Sequence, residues 1–233
     1  HGEVTWTIEQ GAVGGMPLTG FAFGCASNAD AFMPSPSQFT YFQGGGFDMS
    51  FLSFLEVDVE GNVNVSKLGK KPYLTAGCGG FVDITAHARK IVFSGWFEAG
   101  ADIELTDNGL RVAKPGKFTK MVDAVEHVTF SGKRAREQGQ DVIYVTERCV
   151  IRLADDGLLA TEIMPGIDAR RGAAVLGLGR VPARPDGVRP HRRRRRGRGR
   201  DRPGRRADDV ERCDDCRAGL RRHRPVDHRL PLL

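Results

Sequence analysis

A single glutamate stands between an apolar run and a cluster of glycines near the start of the chain, in Thr7-Ile8-Glu9-Gln10-Gly11-Ala12-Val13-Gly14-Gly15. A carboxylate is ionised at pH 7 and can attack a carbonyl carbon without the help of a general base. Glycines let backbone N–H groups come close to a ligand, which suits a phosphate or a developing oxyanion. These residue types allow covalent catalysis at Glu9, although a solvated glutamate at a strand end is the commoner meaning of such a position.

A second glycine segment, Ala76-Gly77-Cys78-Gly79-Gly80, stands before a run that could open a helix. Neither glycine segment has the spacing of the Walker phosphate loop or of the G-x-G-x-x-G dinucleotide fingerprint. Tight turns alone explain most glycines of this kind. The two segments therefore favour no nucleotide-binding motif, and their chemistry depends on what lies beside them.

The elements that would position these residues follow from hydrophobic periodicity and turn residues. The predicted elements are a strand over 4–8, an irregular ordered region over 18–47, a helix opening at 81–89, a buried strand over 90–94, a short helix over 119–128, and hairpins turning at 60–62, 107–109 and 154–157. Strands mixed with a few helices predict an α/β domain with an open mixed sheet and hairpins.

Six segments, taken in order along the chain, resemble the family I coenzyme A transferases, above all the single-chain acetate/propionate and 3-oxoacid type. The segments are 7–15, 36–48, 57–67, 77–84, 144–148 and 161–168. The resemblance covers nearly all of residues 2–169 and implies the C-terminal half of such an enzyme, with the CoA-transferase α/β fold. Residues 7–15 correspond to the family's E-x-G-x-x-G segment, which holds its catalytic glutamate.

The resemblance implies a ping-pong exchange with Glu9 as the nucleophile. The glutamate attacks an acyl-CoA thioester to give a mixed anhydride, and the CoA thiolate then attacks the glutamyl carbonyl to give a glutamyl-CoA thioester. An incoming carboxylate reverses these steps and leaves as the new acyl-CoA. Gly79 and Gly80 are the oxyanion candidates through their backbone N–H groups, with the choice between the two left open.

CoA itself must be held away from the reacting carbon. Asn64, Ser66 and Lys67, with Lys70 and Lys71 nearby, are the candidates for contacts with CoA phosphates or pantetheine amides. The resemblance implies no permanently bound cofactor and no metal. It implies acyl-CoA and a short-chain carboxylate as substrates, a place in short-chain fatty acid or ketone body metabolism, and a homo-oligomer when intact.

Charge divides the chain at about residue 170. Residues 171–233 carry 20 Arg and 8 acidic residues, a net of +12, whereas residues 1–170 carry 15 basic and 21 acidic residues, a net of −6. The arginine-rich segment contains no Ile, Met, Phe, Tyr or Trp, so it cannot build a core and is expected to be disordered. The predicted domains are therefore a CoA-transferase domain over 1–170 and a basic tail over 171–233.

Three interpretations of the tail compete. A nucleic-acid-binding arm has the right charge but no stacking aromatics. A zinc site could use Cys213, Cys216, His223 and His228, but the spacer is too short for the usual finger. Translation out of frame in a GC-rich gene is favoured, because Pro185-Asp186-Gly187-Val188-Arg189-Pro190-His191 can be encoded so that the shifted frame gives the family's M-x-F-x-P-I segment.

The competing function is a binding protein without catalysis, in which the acidic body carries a basic nucleic-acid arm. Because the chain starts at His1 and not at Met, and residues 4–8 already form a predicted strand, we expect it to lack the N-terminal half of the enzyme. We expect it to be inactive alone or to need a complementing N-terminal part. No apolar run approaches a membrane span and no signal peptide opens the chain, so a cytoplasmic protein is expected, without membrane partners and with Cys25, Cys78 and Cys149 reduced.

Overall fold

The computed structural model describes residues 4–69 and 75–168. In chain order its elements are β1 (Ala12–Val13), β2 (Met16–Pro17), a 3-10 turn (Gly20–Ala22), β3 (Ala26–Ser27), β4 (Ala31–Phe32), α1 (Ser35–Gln43), β5 (Met49–Ser53), β6 (Glu56–Asp58), β7 (Val63–Asn64), α2 (Phe81–Ala86), β8 (Lys90–Ser94), β9 (Glu98–Ala99), β10 (Asp102–Thr106), β11 (Gly109–Lys114), β12 (Phe118–Thr119), β13 (Met121–Val122), α3 (Gly132–Glu137), β14 (Asp141–Val145), β15 (Cys149–Ala154) and β16 (Gly157–Ile163). The predictions for Lys70, Lys71 and the tail lie outside the described residues. Within those residues, no helix is long and apolar enough to cross a membrane.

A five-stranded mixed sheet forms the centre of the fold, with the strand order β16-β15-β14-β8-β5. Strands β5, β8 and β14 run parallel, and β15 and β16 continue the sheet in antiparallel pairing. Parallel neighbours need long crossover connections, and here these contain α2 and α3. The arrangement confirms the predicted α/β class with an open mixed sheet and hairpins.

All three predicted hairpins are present, with β6 paired to β7, β10 to β11, and β15 to β16. Each hairpin has a glycine at positive φ, either in the connection (Gly61 at 78°) or at the first position of the second strand (Gly109 at 120° and Gly157 at 132°). Glycine adopts such angles without the steric cost that a Cβ brings, so these turns can be predicted from local sequence.

Alternating side chains of the two central strands form the core. Ile91 and Phe93 on β8, and Val142 and Tyr144 on β14, are at most 1% exposed. The Phe93 ring stacks on Tyr144 at 5.5 Å between centroids and on Phe81 at 5.6 Å. Because Phe81 is the first residue of α2, core packing fixes the start of this helix directly after the second glycine segment.

The prediction of an irregular region over 18–47 is wrong for residues 35–43, which form α1. Pro34 stands at the N-cap and Pro36 in the first turn, where a missing N–H costs nothing. The helix buries only Gln38 and Phe42. With one polar and one apolar residue buried, α1 has no apolar stripe by which periodicity could reveal it.

The predicted helix over 119–128 is also wrong. Residues Met121–Val122 form β13, which pairs in parallel with β6. Beyond it, the N–H of Val125 donates to Asp58 Oδ2 at 3.2 Å. A carboxylate of β6 thus accepts from a backbone N–H that would otherwise donate within a helix. Such tertiary contacts override local helix propensity.

The predicted strand over 4–8 is not present as a strand. Its one strand-like pairing is an isolated antiparallel bridge from Thr7 to Val13. The carbonyl of Trp6 accepts a hydrogen bond of 2.7 Å from the N–H of Gly14. The segment is therefore the first arm of a tight turn outside the main sheet, and the candidate glutamate lies within that turn.

Helices α1 and α2 each precede a parallel strand, β5 and β8, and short links over 44–48 and 87–89 join them. A helix connected in this way runs back along its strand, so it begins at the strand's carboxyl end. Both helix starts therefore lie at the carboxyl edge of the sheet, where open α/β folds bind ligands.

Candidate active site

Backbone hydrogen bonds shape the turn that carries Glu9. The N–H of Ile8 donates to the carbonyl of Ala12 at 3.1 Å, and the N–H of Gly11 donates to the carbonyl of Ile8 at 2.9 Å. Gly11 has φ of 106°, and a Cβ there would lie 1.9 Å from the carbonyl oxygen of Met33. Only glycine fits this position, so the first glycine segment sets the shape of the glutamate turn.

Two side chains of α1 make hydrogen bonds to the turn that carries Glu9. Ser35 Oγ donates to the backbone carbonyl of Glu9 at 3.1 Å, and Gln38 Nε2 donates to Thr7 Oγ1. Thr7 Oγ1 donates its own hydrogen to the carbonyl of Ala12 at 3.2 Å. Gln38 is fully buried, and its Oε1 accepts no hydrogen bond from any described residue.

The second glycine segment meets the carboxylate of Glu9. The N–H of Gly80 donates to Glu9 Oε2 at 3.2 Å, across 71 residues of sequence. Gly80 is buried, and a Cβ there would lie 2.8 Å from Glu9 Oε2 and 2.5 Å from Phe39 Cε1. Gly79 lies beside it at φ of 52°, and its Cβ position is 3.6 Å from Glu9 Oε1. The structure thus brings Glu9, Gly79 and Gly80 together, and Gly80 is the glycine whose N–H contacts the carboxylate.

The three residues predicted to contact CoA are Asn64, Ser66 and Lys67, and they lie next to the second glycine segment. Asn64 is fully buried: its Nδ2 donates to Glu56 Oε2 and to the carbonyl of Lys67, both at 2.7 Å. Its Oδ1 accepts from the N–H groups of Ser66 and Lys67 at 3.1 and 3.2 Å. All side-chain polar atoms of Asn64 are therefore bonded within the chain, and its contact with CoA stays a prediction.

Ser66 is also buried, at 6% exposure, whereas Lys67 is half-buried. Ser66 Oγ lies 2.6 Å from His127 Nδ1 and 2.9 Å from Thr129 Oγ1. Its hydroxyl is thus bonded within the chain, and contact of Ser66 with CoA also stays a prediction. The prediction for Lys67 is left standing.

No protein-family model matches the chain. It is 44% identical over 166 residues to the acetate CoA-transferase YdiF of Escherichia coli strain K12, a match that covers 71% of this chain and 31% of that protein. It is 43% identical over 172 residues to the caffeate CoA-transferase of Acetobacterium woodii, covering 72% and 33%. The crystal structure of the acyl-CoA transferase YdiF apoenzyme from E. coli O157:H7 has a TM-score of 0.63 at 41% identity, over 71% of this chain and 31% of that one. This chain belongs to the family I coenzyme A transferases.

A second crystal structure, of YdiF from E. coli O157:H7 in a thioester complex with CoA, has a TM-score of 0.64 at 40% identity, over 71% of this chain and 30% of that one. The decarboxylase AibA/AibB shares the fold, with a TM-score of 0.55 at 19% identity over 72% of this chain. This CoA-transferase chain spans about a third of the length of the curated relatives it matches.

Ser35, Gln38 and Phe39 lie around Glu9 and Gly80, and no role was predicted for them from the sequence. Their only local signal is Pro34 and Pro36, which together are typical of a helix start. Asp83 on α2 accepts from Gln43 on α1, and so joins the two helices.

A second polar cluster joins the start of β9 to the link between β14 and β15. Arg148 pairs with Glu147 at 3.0 Å and with Glu98 at 2.9 Å, and its guanidinium lies 4.8 Å from the Phe97 ring centroid. The N–H of Gly116 also donates to Glu98 Oε2 at 2.9 Å. Burial by itself raises the pKa of Glu98, but the hydrogen bonds from Arg148 and Gly116 outweigh it, so the pKa lies below 4.5.

This lowered pKa predicts an acid-dependent loss of stability. The unfolded chain binds a proton at Glu98 more readily than the folded chain, so the stabilisation is complete above pH 4.5 and is lost as pH falls through the folded pKa. We expect urea unfolding from about pH 7 to 3 to show a shallower acid decline for Glu98→Gln than for the native chain. The exposed control Glu126→Gln should follow the native curve, and parallel curves for Glu98→Gln and the native chain would contradict the assignment.

Proposed function

We propose that the complete protein transfers CoA between a short-chain acyl-CoA and a carboxylate, through a glutamyl-CoA thioester at Glu9. The observation that carries this proposal is the 3.2 Å hydrogen bond from the Gly80 N–H to Glu9 Oε2. It joins a carboxylate and a backbone N–H from positions 71 residues apart, which supports a nucleophile and an oxyanion donor at one site. The position of both segments at the carboxyl edge of the sheet supports the same site.

In the first half-reaction, Glu9 Oε1 attacks the thioester carbonyl carbon, and the C–S bond breaks to release CoA thiolate and leave a mixed anhydride. The thiolate then attacks Glu9 Cδ and expels the first carboxylate, which takes the electron pair of the broken C–O bond. During this second attack, negative charge develops on Glu9 Oε2. The Gly80 N–H already donates to that atom, so its contact strengthens as the charge develops.

The second half-reaction repeats these steps in reverse with the incoming carboxylate, so no external proton donor is required. The first and last states of the enzyme are the same ionised Glu9. Because a carboxylate is a weak nucleophile, the rate depends on holding Glu9 and the oxyanion donor in a fixed geometry. The bonds from Ser35 to Glu9 and from Gln38 to Thr7 serve this purpose.

Contacts with CoA are assigned to Lys67, whose side chain is half-buried beside the glycine segment. Its ammonium group suits the CoA phosphates. The substrate class rests on the relatives, which are named for acetate and for caffeate. We assign this chain to short-chain fatty acid or ketone body metabolism in the cytoplasm, as a homo-oligomer with acyl-CoA as substrate and no bound cofactor. The sequence that the relatives have beyond the matched segment completes the site.

A chimera tests the proposed function. In it, the matched segment of YdiF is replaced by the matched 166 residues of this chain. Incubation with acetyl-CoA and propionate should yield propionyl-CoA, and intact-mass spectra should show a CoA adduct on the protein. Native YdiF is the positive control, and the 233-residue chain alone should give no turnover. A folded chimera that binds acyl-CoA but forms neither adduct nor product would contradict the proposal.

A further inference from the structure

Ser66 uses every polar group it has, and the groups it contacts belong to three separate segments. Its N–H is bound by Asn64 Oδ1 at 3.1 Å. Its carbonyl accepts from the N–H groups of Ala76 and Gly77 at 2.8 and 3.1 Å. Its Oγ lies 2.6 Å from His127 Nδ1. Such saturation of a residue that is 6% exposed shows that Ser66 is a structural junction.

The carbonyl of Ser66 binds the first two residues of the second glycine segment. Gly77 stands three residues before Gly80, whose N–H contacts Glu9. Directly after Gly80, the N–H of Phe81 donates back to the carbonyl of Cys78 at 3.0 Å, which closes the turn into α2. The Ser66 carbonyl and the start of α2 therefore fix the two ends of the glycine segment, and any shift of Ser66 moves the path that leads to Gly80.

The position of Ser66 depends in turn on the segment after β13. Its Oγ is held between His127 Nδ1 and Thr129 Oγ1, and Thr129 Oγ1 also accepts from the N–H of Val65 at 3.2 Å. The segment itself is attached to β7, because the N–H of Thr129 donates to the carbonyl of Val63 at 2.9 Å. His127 is exposed, so its ring can be changed with little effect on the core.

We infer that Ser66 is a positioning residue for the Gly80 oxyanion donor, and that His127 holds Ser66 in place. The catalytic part of this inference rests on the proposed function of Glu9 and Gly80, whereas the positioning part does not. It gives the buried Ser66 a role other than contact with CoA, and it gives His127 a role that acts through Ser66.

Amide exchange in the 233-residue chain, followed by NMR, tests the positioning. His127→Ala should raise the exchange rates of the Ala76 and Gly77 amides about tenfold relative to amides of β8 and β14, because a hydrogen bond that holds their acceptor is lost. His127→Asn, whose amide group takes nearly the place of Nδ1, should restore native rates. Glu126→Ala, at the exposed neighbouring position, is the matched control.

The catalytic consequence is measured in the YdiF chimera. His127→Ala should lower kcat about tenfold with little change in KM for acyl-CoA, and His127→Asn should recover most of that loss. Ser66→Ala should show the same exchange pattern as His127→Ala. Agreement between the two variants would exclude an effect that comes only from loss of the imidazole ring.

Unchanged exchange at Ala76 and Gly77 in both His127→Ala and Ser66→Ala would overturn the inference. An equal rise across β8 and β14 would also overturn it, since that marks a general loss of stability. A failure of Asn to rescue would exclude the hydrogen bond as the cause. If the chimera has no activity at all, the proposed function fails, while the exchange rates still decide whether His127 positions the loop.

Discussion

Glu9→Gln in the YdiF chimera should reduce kcat for CoA transfer by at least about 10³-fold. Glutamine preserves the size of the side chain, and its carbonyl oxygen can still accept from the Gly80 N–H, which lies 3.2 Å from Glu9 Oε2. What it lacks is an ionised oxygen that can attack a thioester carbon. The loss should therefore appear in kcat, while binding of acyl-CoA to the folded protein remains.

Chemical trapping locates the loss at Glu9. After exposure of the chimera to acyl-CoA, hydroxylamine should convert Glu9 to a hydroxamate, and borohydride should reduce the thioester there to an alcohol. Peptide mass spectra should show neither product in Glu9→Gln. Glu126→Gln, an exposed carboxylate outside the site, is the control and should retain both products. Turnover of Glu9→Gln at the native rate, or a hydroxamate on another glutamate, would contradict the nucleophile assignment.

The hairpins of the fold could be predicted because their determinants are local. Gly61, Gly109 and Gly157 stand at positive φ in turns between strands of alternating pattern. Helix α1 could not, because its buried residues are Gln38 and Phe42 and its stability comes from tertiary contacts. Distant carboxylates that bind backbone N–H groups likewise replaced the predicted helix over 119–128, and no window of the sequence contains that information.

The candidate site, too, has parts that local sequence predicts and parts that it does not. Glu9 and the glycines could be singled out by residue type, but their approach across 71 residues is a property of the sheet topology. Without the family resemblance, nothing local distinguishes Glu9 from a solvated side chain. The sequence also gives no sign that the amide of Asn64, predicted to contact CoA, makes four hydrogen bonds within the chain.

Gly80→Ala should lower kcat of the chimera by about 10² to 10³-fold, the loss typical of removing one oxyanion donor. A methyl group at Gly80 would lie 2.8 Å from Glu9 Oε2 and 2.5 Å from Phe39 Cε1. Two non-bonded heavy atoms cannot remain so close without displacement. The backbone of Gly80, at φ of −80° and ψ of 7°, suits alanine, so the cost falls on the contacts with Glu9 and the Phe39 ring and not on the backbone.

A double variant separates the two clashes of the Gly80 methyl group. In Gly80→Ala with Phe39→Leu, the ring clash is relieved but the methyl group still meets Glu9 Oε2. If displacement of the carboxylate from the oxyanion donor causes the loss, the double variant should remain as slow as Gly80→Ala alone. Recovery to the native kcat would instead mean that Phe39 transmits the effect. Gly44→Ala, at φ of −71° with nearest atoms at 3.4 Å, controls for an added methyl group and should retain native kcat.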